Sequence, residues 1–374
     1  MSDTLRIVVA GGGTGGHVYP GIAIVECLRE RAATEALFVG ARGGVEEGIL
    51  ARAGFPCELL PGYGLRGASL ARRLLFPVVL ARGVARALAI LATFRPHVVL
   101  GTGGYASAAM VIAAVLRGTP RVLQEQNSVA GLVNRRLARF ADLVLLAFEE
   151  SIPSLPRGTR TLVVGNPIRK LPRAGREAAA KRFGLHASRR TVLVVGGSRG
   201  ARTLNLAGAD AAPRIAEALD IQFLMLVGAS DRPQVERRLG AAKTRVCVLD
   251  YLDEMQDAYA LADLAVARSG ASSVFELAAF GVPAILVPYP YAADGHQEGN
   301  AAPLVARGAA RMVADAELDG ERLAREVTDL MSSPERLGTM GAAMKAWATP
   351  DAGQRAADAI LDICKKKDPV RLAA

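Results

Sequence analysis

The stretch LRIVVAGGGTGGHVYP occupies residues 5–20. A mostly apolar run leads into a G-x-G-x-x-G set made by Gly11, Gly13 and Gly16. Val18, Ile22, Val25 and Leu28 then recur at helical spacing. Strand, glycine turn and helix in that order open a Rossmann-like domain. A dinucleotide site would also place an acid at the end of the second strand, where it holds ribose hydroxyls. ALFVG (residues 36–40) runs instead into Ala41 and Arg42. An arginine there suits a 2′-phosphate, so this stretch alone leaves NADP open. His17 offers a different reading. Glycines let a large ligand reach the backbone, and a histidine at the helix start can serve as general base.

The second half repeats the opening. VLVVGGSRGA (192–201) is again an apolar strand, a glycine turn and a helix start. Strand-like runs alternate with helix-length segments throughout: LRIVVA, ALFVG, HVVLG, RVLQE, LVLLAF and TLVVGN first, then TVLVVGG, IQFLMLVG, TRVCVLDYL, LAVARSG, AILVPYP and AARMVAD. Such alternation predicts parallel sheets with right-handed crossovers. The expected fold class is α/β, with two Rossmann-like domains facing across a cleft. The expected boundaries are 1–165 and 166–349, with a helix at about 350–374 packing back on the first domain. A repeated glycine loop argues against a single NADP site and for two ligands.

The chain has 374 residues and a formal net charge of +10. Between Leu60 and Phe140 stand eleven arginines and one acid, Glu125, so this segment alone carries the excess. Concentrated positive charge implies an anionic partner. No aromatics interleave with the arginines as a single-strand nucleic-acid binder would need. LLFPVVL (74–80) sits among them instead, and basic plus apolar favours a lipid surface through Arg72, Arg73, Leu75 and Phe76. The plainer alternative is a core-packed helix with a solvated arginine face. Residues 98–116 carry no charge and approach the length of a membrane span, but GTGGYAS in mid-stretch reads as strand, turn and buried helix. Cys27, Cys57, Cys247 and Cys364 match no metal spacing and fit a reducing compartment. The first strand begins by Leu5, which leaves no room before it for a signal peptide.

Polar clusters in the second half suit a nucleotide sugar. Ser198 stands at a helix start, fit for a phosphate. Ser269 to Ser273 offer hydroxyls and backbone N–H groups to a diphosphate, and Glu276, further along the same helix, suits a ribose. Asp294, His296, Gln297 and Asn300 follow on a later loop. No D-x-D occurs, so helix dipoles and hydroxyls rather than a metal are expected to carry the leaving charge.

GGGTGGHVYP, VLGTGGYAS, LQEQNSVAGLVNR, VVGNPIR, VVGGSRGA, the Arg268-Ser269-Gly270-Ala271 turn, FELAAFGVPAILVPYP and HQEGNA together resemble the family of bacterial N-acetylglucosaminyl transferases that act on undecaprenyl-linked N-acetylmuramyl-pentapeptide. The resemblance covers nearly the whole chain. It implies the GT-B fold and inverting transfer from UDP-N-acetylglucosamine to lipid I, giving lipid II and UDP in peptidoglycan synthesis, with no cofactor and no bound metal. It implies a peripheral enzyme on the cytoplasmic side of the inner membrane, with cell-wall and division proteins as partners. Carried onto this chain, Thr14, Gly15, Gly16 and Asn127 lie near the donor sugar, and Arg169 and Ser198 toward the diphosphate. Leu252 presents its backbone to uracil. Ala271, Ser272, Ser273, Val274, Phe275 and Glu276 hold phosphate and ribose, and Gln297 binds the sugar. Gly13, Gly104 and Tyr105 are implied on the acceptor side, and His17 is implied as the base. Arg199, Glu298 and Gly299 depart from the family pattern.

Each residue also has a plain structural reading. Glu125 is a second candidate base, against an internal salt bridge with a nearby arginine. Tyr105 packs its ring, and His97 and His186 are structural. His296 positions the donor or its own loop. The functional alternatives are a non-hydrolysing UDP-sugar 2-epimerase, which needs no lipid-binding surface, an NADP oxidoreductase, and a non-catalytic membrane-surface scaffold.

Overall fold

A computed structural model of the chain describes residues 4–63, 69–169, 175–197 and 200–367. It divides into two units, Met1–Arg169 with Thr349–Ala374, and Lys170–Ala348. The first unit runs β1 (Leu5–Gly11), α1 (Gly15–Arg29), β2 (Thr34–Ala41), α2 (Glu46–Arg52), β3 (Cys57–Leu60), α3 (Leu70–Phe94), β4 (Val98–Gly103), α4 (Gly104–Arg117), β5 (Arg121–Glu125), α5 (Leu132–Leu137), β6 (Leu143–Leu146) and β7 (Thr161–Val163). Its strands form one parallel sheet in the order β3-β2-β1-β4-β5-β6-β7. All six residues of β4 are buried, as expected of a central parallel strand covered on both faces. The charge-free run 98–116 is therefore β4 followed by α4, which ends where Gly118 takes the left-handed conformation.

The second unit runs α6 (Arg176–Phe183), β8 (Arg190–Val195), α7 (Arg202–Ile215), β9 (Ile221–Leu226), α8 (Arg232–Leu239), β10 (Val246–Leu249), α9 (Met255–Leu261), β11 (Leu264–Ala267), α10 (Ala271–Phe280), β12 (Ala284–Leu286), α11 (His296–Ala306), β13 (Ala310–Met312), α12 (Gly320–Met331) and α13 (Pro334–Trp347). Its parallel sheet has the order β10-β9-β8-β11-β12-β13. A last helix, α14 (Ala352–Lys367), belongs to the first unit and lies along α1. The two helices approach closely because residue 353 is glycine: a Cβ there would stand 2.8 Å from the Cys27 sulfur.

In the first unit one apolar layer joins the sheet to α1 and α14, and the opposite layer joins it to α3, α4 and α5. In the second, α7, α12 and α13 close the main core over Phe223, Val192 and Val266. β3 is absent from the sequence reading. Cys57-Glu58-Leu59-Leu60 is too short to show an alternation, and it pairs only at the sheet edge, with β2. In both sheets the strand order reverses at one place, between β1 and β4 and between β8 and β11. Open α/β sheets bind ligands outside the carboxyl ends of the strands at such a point. The glycine-rich turns after β1, β4, β8 and β11 all lie there.

Candidate active site

In the first unit the turns after β1 and β4 lock together backbone to backbone. Gly104 has φ +81°, and a Cβ on it would meet the Gly12 carbonyl oxygen at 2.7 Å. A Cβ on Gly103 would meet the His17 ring at 2.8 Å. Side chains at 103 and 104 would therefore push the two loops apart. Gly13 and Thr14 are exposed at the tip, Gly15 is buried, and Gly16 and His17 are half-buried at the start of α1. Thr14 caps that helix without a side-chain hydrogen bond, so its hydroxyl is not used by the cap.

The loop is held from beneath by a residue that no motif marks. Glu46, at the start of α2, is fully buried. Its carboxylate accepts the N–H of Gly13 at 3.0 Å and of Ala41 at 2.7 Å. A Cβ on Gly12, Gly40 or Gly44 would stand 2.1, 2.4 or 2.3 Å from it. A dinucleotide fold aims these amides at a pyrophosphate. Here one of them is already given to a carboxylate, whose charge would repel a phosphate. The glycine loop is thus not built as a pyrophosphate cradle.

His17 meets the EQN segment. Its Nδ1 lies 3.1 Å from Oε1 of Gln126, a buried residue just past β5. Glu125 is 1 % exposed and fully engaged. One oxygen accepts the Asn127 N–H at 3.0 Å and the Asn127 amide at 3.3 Å; the other accepts the Gly131 N–H at 2.9 Å and the Asn134 amide at 2.9 Å. A general base needs a lone pair open to the substrate. Glu125 instead ties up the loop through residue 131, with amides rather than the expected arginine as partners. In this structure it serves as a loop clamp. Arg169 stacks its guanidinium 4.6 Å above the Tyr19 ring, on α1.

Tyr105 is engaged within its own unit as well. It is buried, and its hydroxyl donates to the Pro61 carbonyl at 2.7 Å, with the Val79 carbonyl 3.0 Å away. Gly62 and Gly83 leave the room, since a Cβ on either would collide with the phenol. Burial pushes the phenol pKa up. Tyr105 fastens α3 to the body of the unit. Phe76 packs edge-on against it, ring centroids 6.1 Å apart, and is half-buried. The outward face of α3 shows Leu74, Leu75 and Val78, which are 73 %, 57 % and 53 % exposed, with Arg72 beside them. Arg72 lies over the Tyr63 ring. By length and composition the segment Leu74–Phe94 could cross a membrane, a feature the sequence reading passed over. The side chain of Arg73 and all of Ser198 and Arg199 lie outside the described residues.

In the second unit the turn after β11 leads into α10. Gly270 caps the helix and provides no side-chain bond. The hydroxyls of Ser269 and Ser272 are buried, with no partner among the described residues. Ser273 and Glu276 are half-buried on the same helix, while Ala271, Val274 and Phe275 are buried. Tyr259 of α9 donates its hydroxyl to one Glu276 oxygen at 2.8 Å. Burial first, then the Glu276 charge, holds that phenol protonated. Tyr259 escaped the sequence reading because MQDAYAL carries no motif. Arg268 is buried and donates to the Val287 and Pro288 carbonyls, each at 3.1 Å, while pairing with Asp315 at 2.6 Å. It thereby shapes the segment before α11. There the Tyr289 N–H donates to Gln297 Oε1 at 2.8 Å, and His296 Nδ1 contacts the Ala293 carbonyl at 2.7 Å. The Asn300 amide donates to the Ser269 carbonyl at 3.0 Å. Leu252 is buried on the loop after β10.

Residues 7–146 match the glycosyltransferase family 28 N-terminal domain, and residues 191–359 match the glycosyltransferase family 28 C-terminal domain. A protein of Anaeromyxobacter dehalogenans named UDP-N-acetylglucosamine–N-acetylmuramyl-(pentapeptide) pyrophosphoryl-undecaprenol N-acetylglucosamine transferase is 40 % identical over 97 % of this chain and 94 % of its own. One of the same name from Thermodesulfovibrio yellowstonii is 36 % identical over 97 % of this chain and its entire length. Among solved structures, Acinetobacter baumannii MurG superposes with a TM-score of 0.76 at 28 % identity, over 96 % of this chain and 99 % of that one. A UDP-GlcNAc 2-epimerase from Neisseria meningitidis, at TM-score 0.66 and 14 % identity over 96 % of this chain and its full length, shares the fold alone.

Proposed function

The chain belongs to the family of undecaprenyl-pyrophosphoryl-N-acetylmuramyl-(pentapeptide) N-acetylglucosamine transferases, with the GT-B fold, and on that premise we propose how its two units divide the reaction. The enzyme moves N-acetylglucosamine from UDP-N-acetylglucosamine to the C4 hydroxyl of lipid I, giving lipid II and UDP. The second unit takes the nucleotide. The observation that carries this is the start of α10, where two buried hydroxyls and the first-turn N–H groups have no side-chain cap to satisfy them. Such a helix start suits the diphosphate and stabilises its charge as UDP leaves. Glu276, oriented by Tyr259, accepts the ribose hydroxyls, and the backbone at Leu252 reads the uracil. Gln297 has its oxygen engaged by Tyr289, which directs its amide nitrogen to the sugar.

The first unit takes the acceptor and supplies the base. As the C4 oxygen bonds to the anomeric carbon, the bond to the UDP oxygen breaks with inversion, and His17 receives the hydroxyl proton. Thr14, Gly15, Gly16 and Asn127 approach the sugars, and Arg169 approaches the diphosphate. Attachment to an anionic bilayer, at the cytoplasmic face that holds the lipid acceptor, is supported by the exposed apolar face of α3 and its arginines. The test is incubation with UDP-N-acetylglucosamine, with and without lipid I. UDP release that depends on the lipid is the expected outcome. UDP-N-acetylmannosamine formed without acceptor would identify a 2-epimerase instead.

A further inference from the structure

Three buried amide side chains run head to tail from the end of the first unit to His17. Gln124, Gln126 and Asn166 are each no more than 2 % exposed. Gln126 Nε2 donates to the Thr102 carbonyl at 2.8 Å, and the Gln124 carbonyl lies 3.3 Å from the same nitrogen. It also contacts Gln124 Oε1. Gln124 Nε2 in turn donates to Asn166 Oδ1 at 3.2 Å. Asn166 belongs to the GNP turn, three residues before the first unit ends at Arg169.

This arrangement decides which end of Gln126 faces His17. Backbone carbonyls only accept, so the end of the amide beside Thr102 and Gln124 must be its nitrogen. The oxygen then points at His17 Nδ1, 3.1 Å away. An amide oxygen also only accepts, so Nδ1 must carry the proton. In a neutral imidazole that leaves Nε2 unprotonated and able to accept. Flipping Gln126 would leave Nε2 without its carbonyl acceptors and set a carbonyl oxygen against two others, at a buried site where unmet polar groups are costly.

We propose that Gln126 is a positioning residue that locks His17 in the Nδ1–H tautomer, so that Nε2 is the atom that receives the acceptor proton. The proposal rests on the reading of His17 as base. Gln126 itself is buried and acts through His17. It does for His17 what a buried carboxylate does for the histidine of a hydrolase triad: it sets tautomer and ring orientation, here without adding a charge.

The experiment uses the full-length chain labelled with ¹⁵N-histidine and reads the imidazole tautomer by long-range ¹H–¹⁵N correlation; His17→Ala identifies the signal among the four histidines. The wild type is expected to show Nδ1 protonated and Nε2 bare. Gln126→Leu removes the lock, and the Nε2–H form that free histidine favours appears. Its kcat falls at least about 10- to 100-fold, the range for losing the partner that orients a metal-ligating histidine, while KM for UDP-N-acetylglucosamine is unchanged. Gln126→Glu, kept protonated by burial among carbonyls, turns its O–H to the Thr102 carbonyl and its bare oxygen to His17, and so restores both the Nδ1–H form and part of kcat. A wild-type His17 protonated at Nε2, or an Nδ1–H signal that survives Gln126→Leu, overturns the proposal. The wild-type spectrum and the Gln126→Glu variant decide the matter even if Gln126→Leu does not fold. A tautomer that changes with no loss of kcat would leave the lock standing and remove His17 as the base.

Discussion

Glu46 shows at the scale of one residue how the glycine loop acquires its shape. A buried carboxylate normally has a cation beside it. This one has amide donors, at Gly13 and Ala41, and three glycines that leave it room. Glu46→Ala removes the acceptor and opens a void beneath the loop. The expected loss of stability is about 1.5–3 kcal/mol, the worth of a hydrogen bond to a charged group, read as a lower urea midpoint. Turnover should fall with it, because Thr14 to His17 lose their support, while UDP affinity stays as it was. Equal loss of UDP affinity would show that the damage spreads to the second unit. In the sequence, Glu46 is one of two adjacent glutamates that no motif marks. Burial gave it its task, and burial is not visible in EEGILAR.

At the scale of the element, α3 carries the surface chemistry. It has 25 residues, which at 1.5 Å each is about 38 Å of helix. Its inner face packs on α4 and is fastened by Tyr105. Its outer face holds Leu74, Leu75 and Val78 among Arg72, Arg82 and Arg86, the last paired with Glu58 at 2.9 Å. Attraction to anionic lipid contributes about 1 kcal/mol per arginine near the surface. Binding to anionic vesicles should therefore weaken roughly fivefold for each of Arg72→Glu and Arg82→Glu, or somewhat more with charge reversal, and should fall as salt shortens the screening length. Equal binding to neutral vesicles at every salt would make the arginines incidental. The composition of this segment was legible from the sequence, and so was its charge. Which apolar residues face out was not: Phe76 lies between two exposed stretches yet turns inward, because its helical phase brings it to Tyr105.

At the scale of the whole molecule, the proposed division of labour separates two kinds of damage. His17→Ala should reduce turnover by about 10² to 10⁴, the range for a positioned base, and leave UDP affinity intact. Glu276→Ala should weaken UDP about ten- to a hundredfold by loss of a charged hydrogen-bond partner, as calorimetry would read. A His17 variant that loses UDP binding, or a Glu276 variant that keeps it, would break the division. The alternation of strands and helices, the parallel sheets and the glycine turns after β1, β4, β8 and β11 were determined by the sequence itself. They rest on local causes: the period of apolar residues and the backbone freedom of glycine act over a few positions and need no distant partner. Ser269 to Glu276 were legible for the same reason, as a turn followed directly by a helix. Partnership was decided only by the tertiary structure. Gly13 meets Glu46 across 33 positions, and His17 meets Gln126 across 109. Glu125 became a clamp and Tyr105 a fastener because a buried polar group must find a hydrogen-bond partner, and which partner stands within reach is settled when the sheet closes and not before.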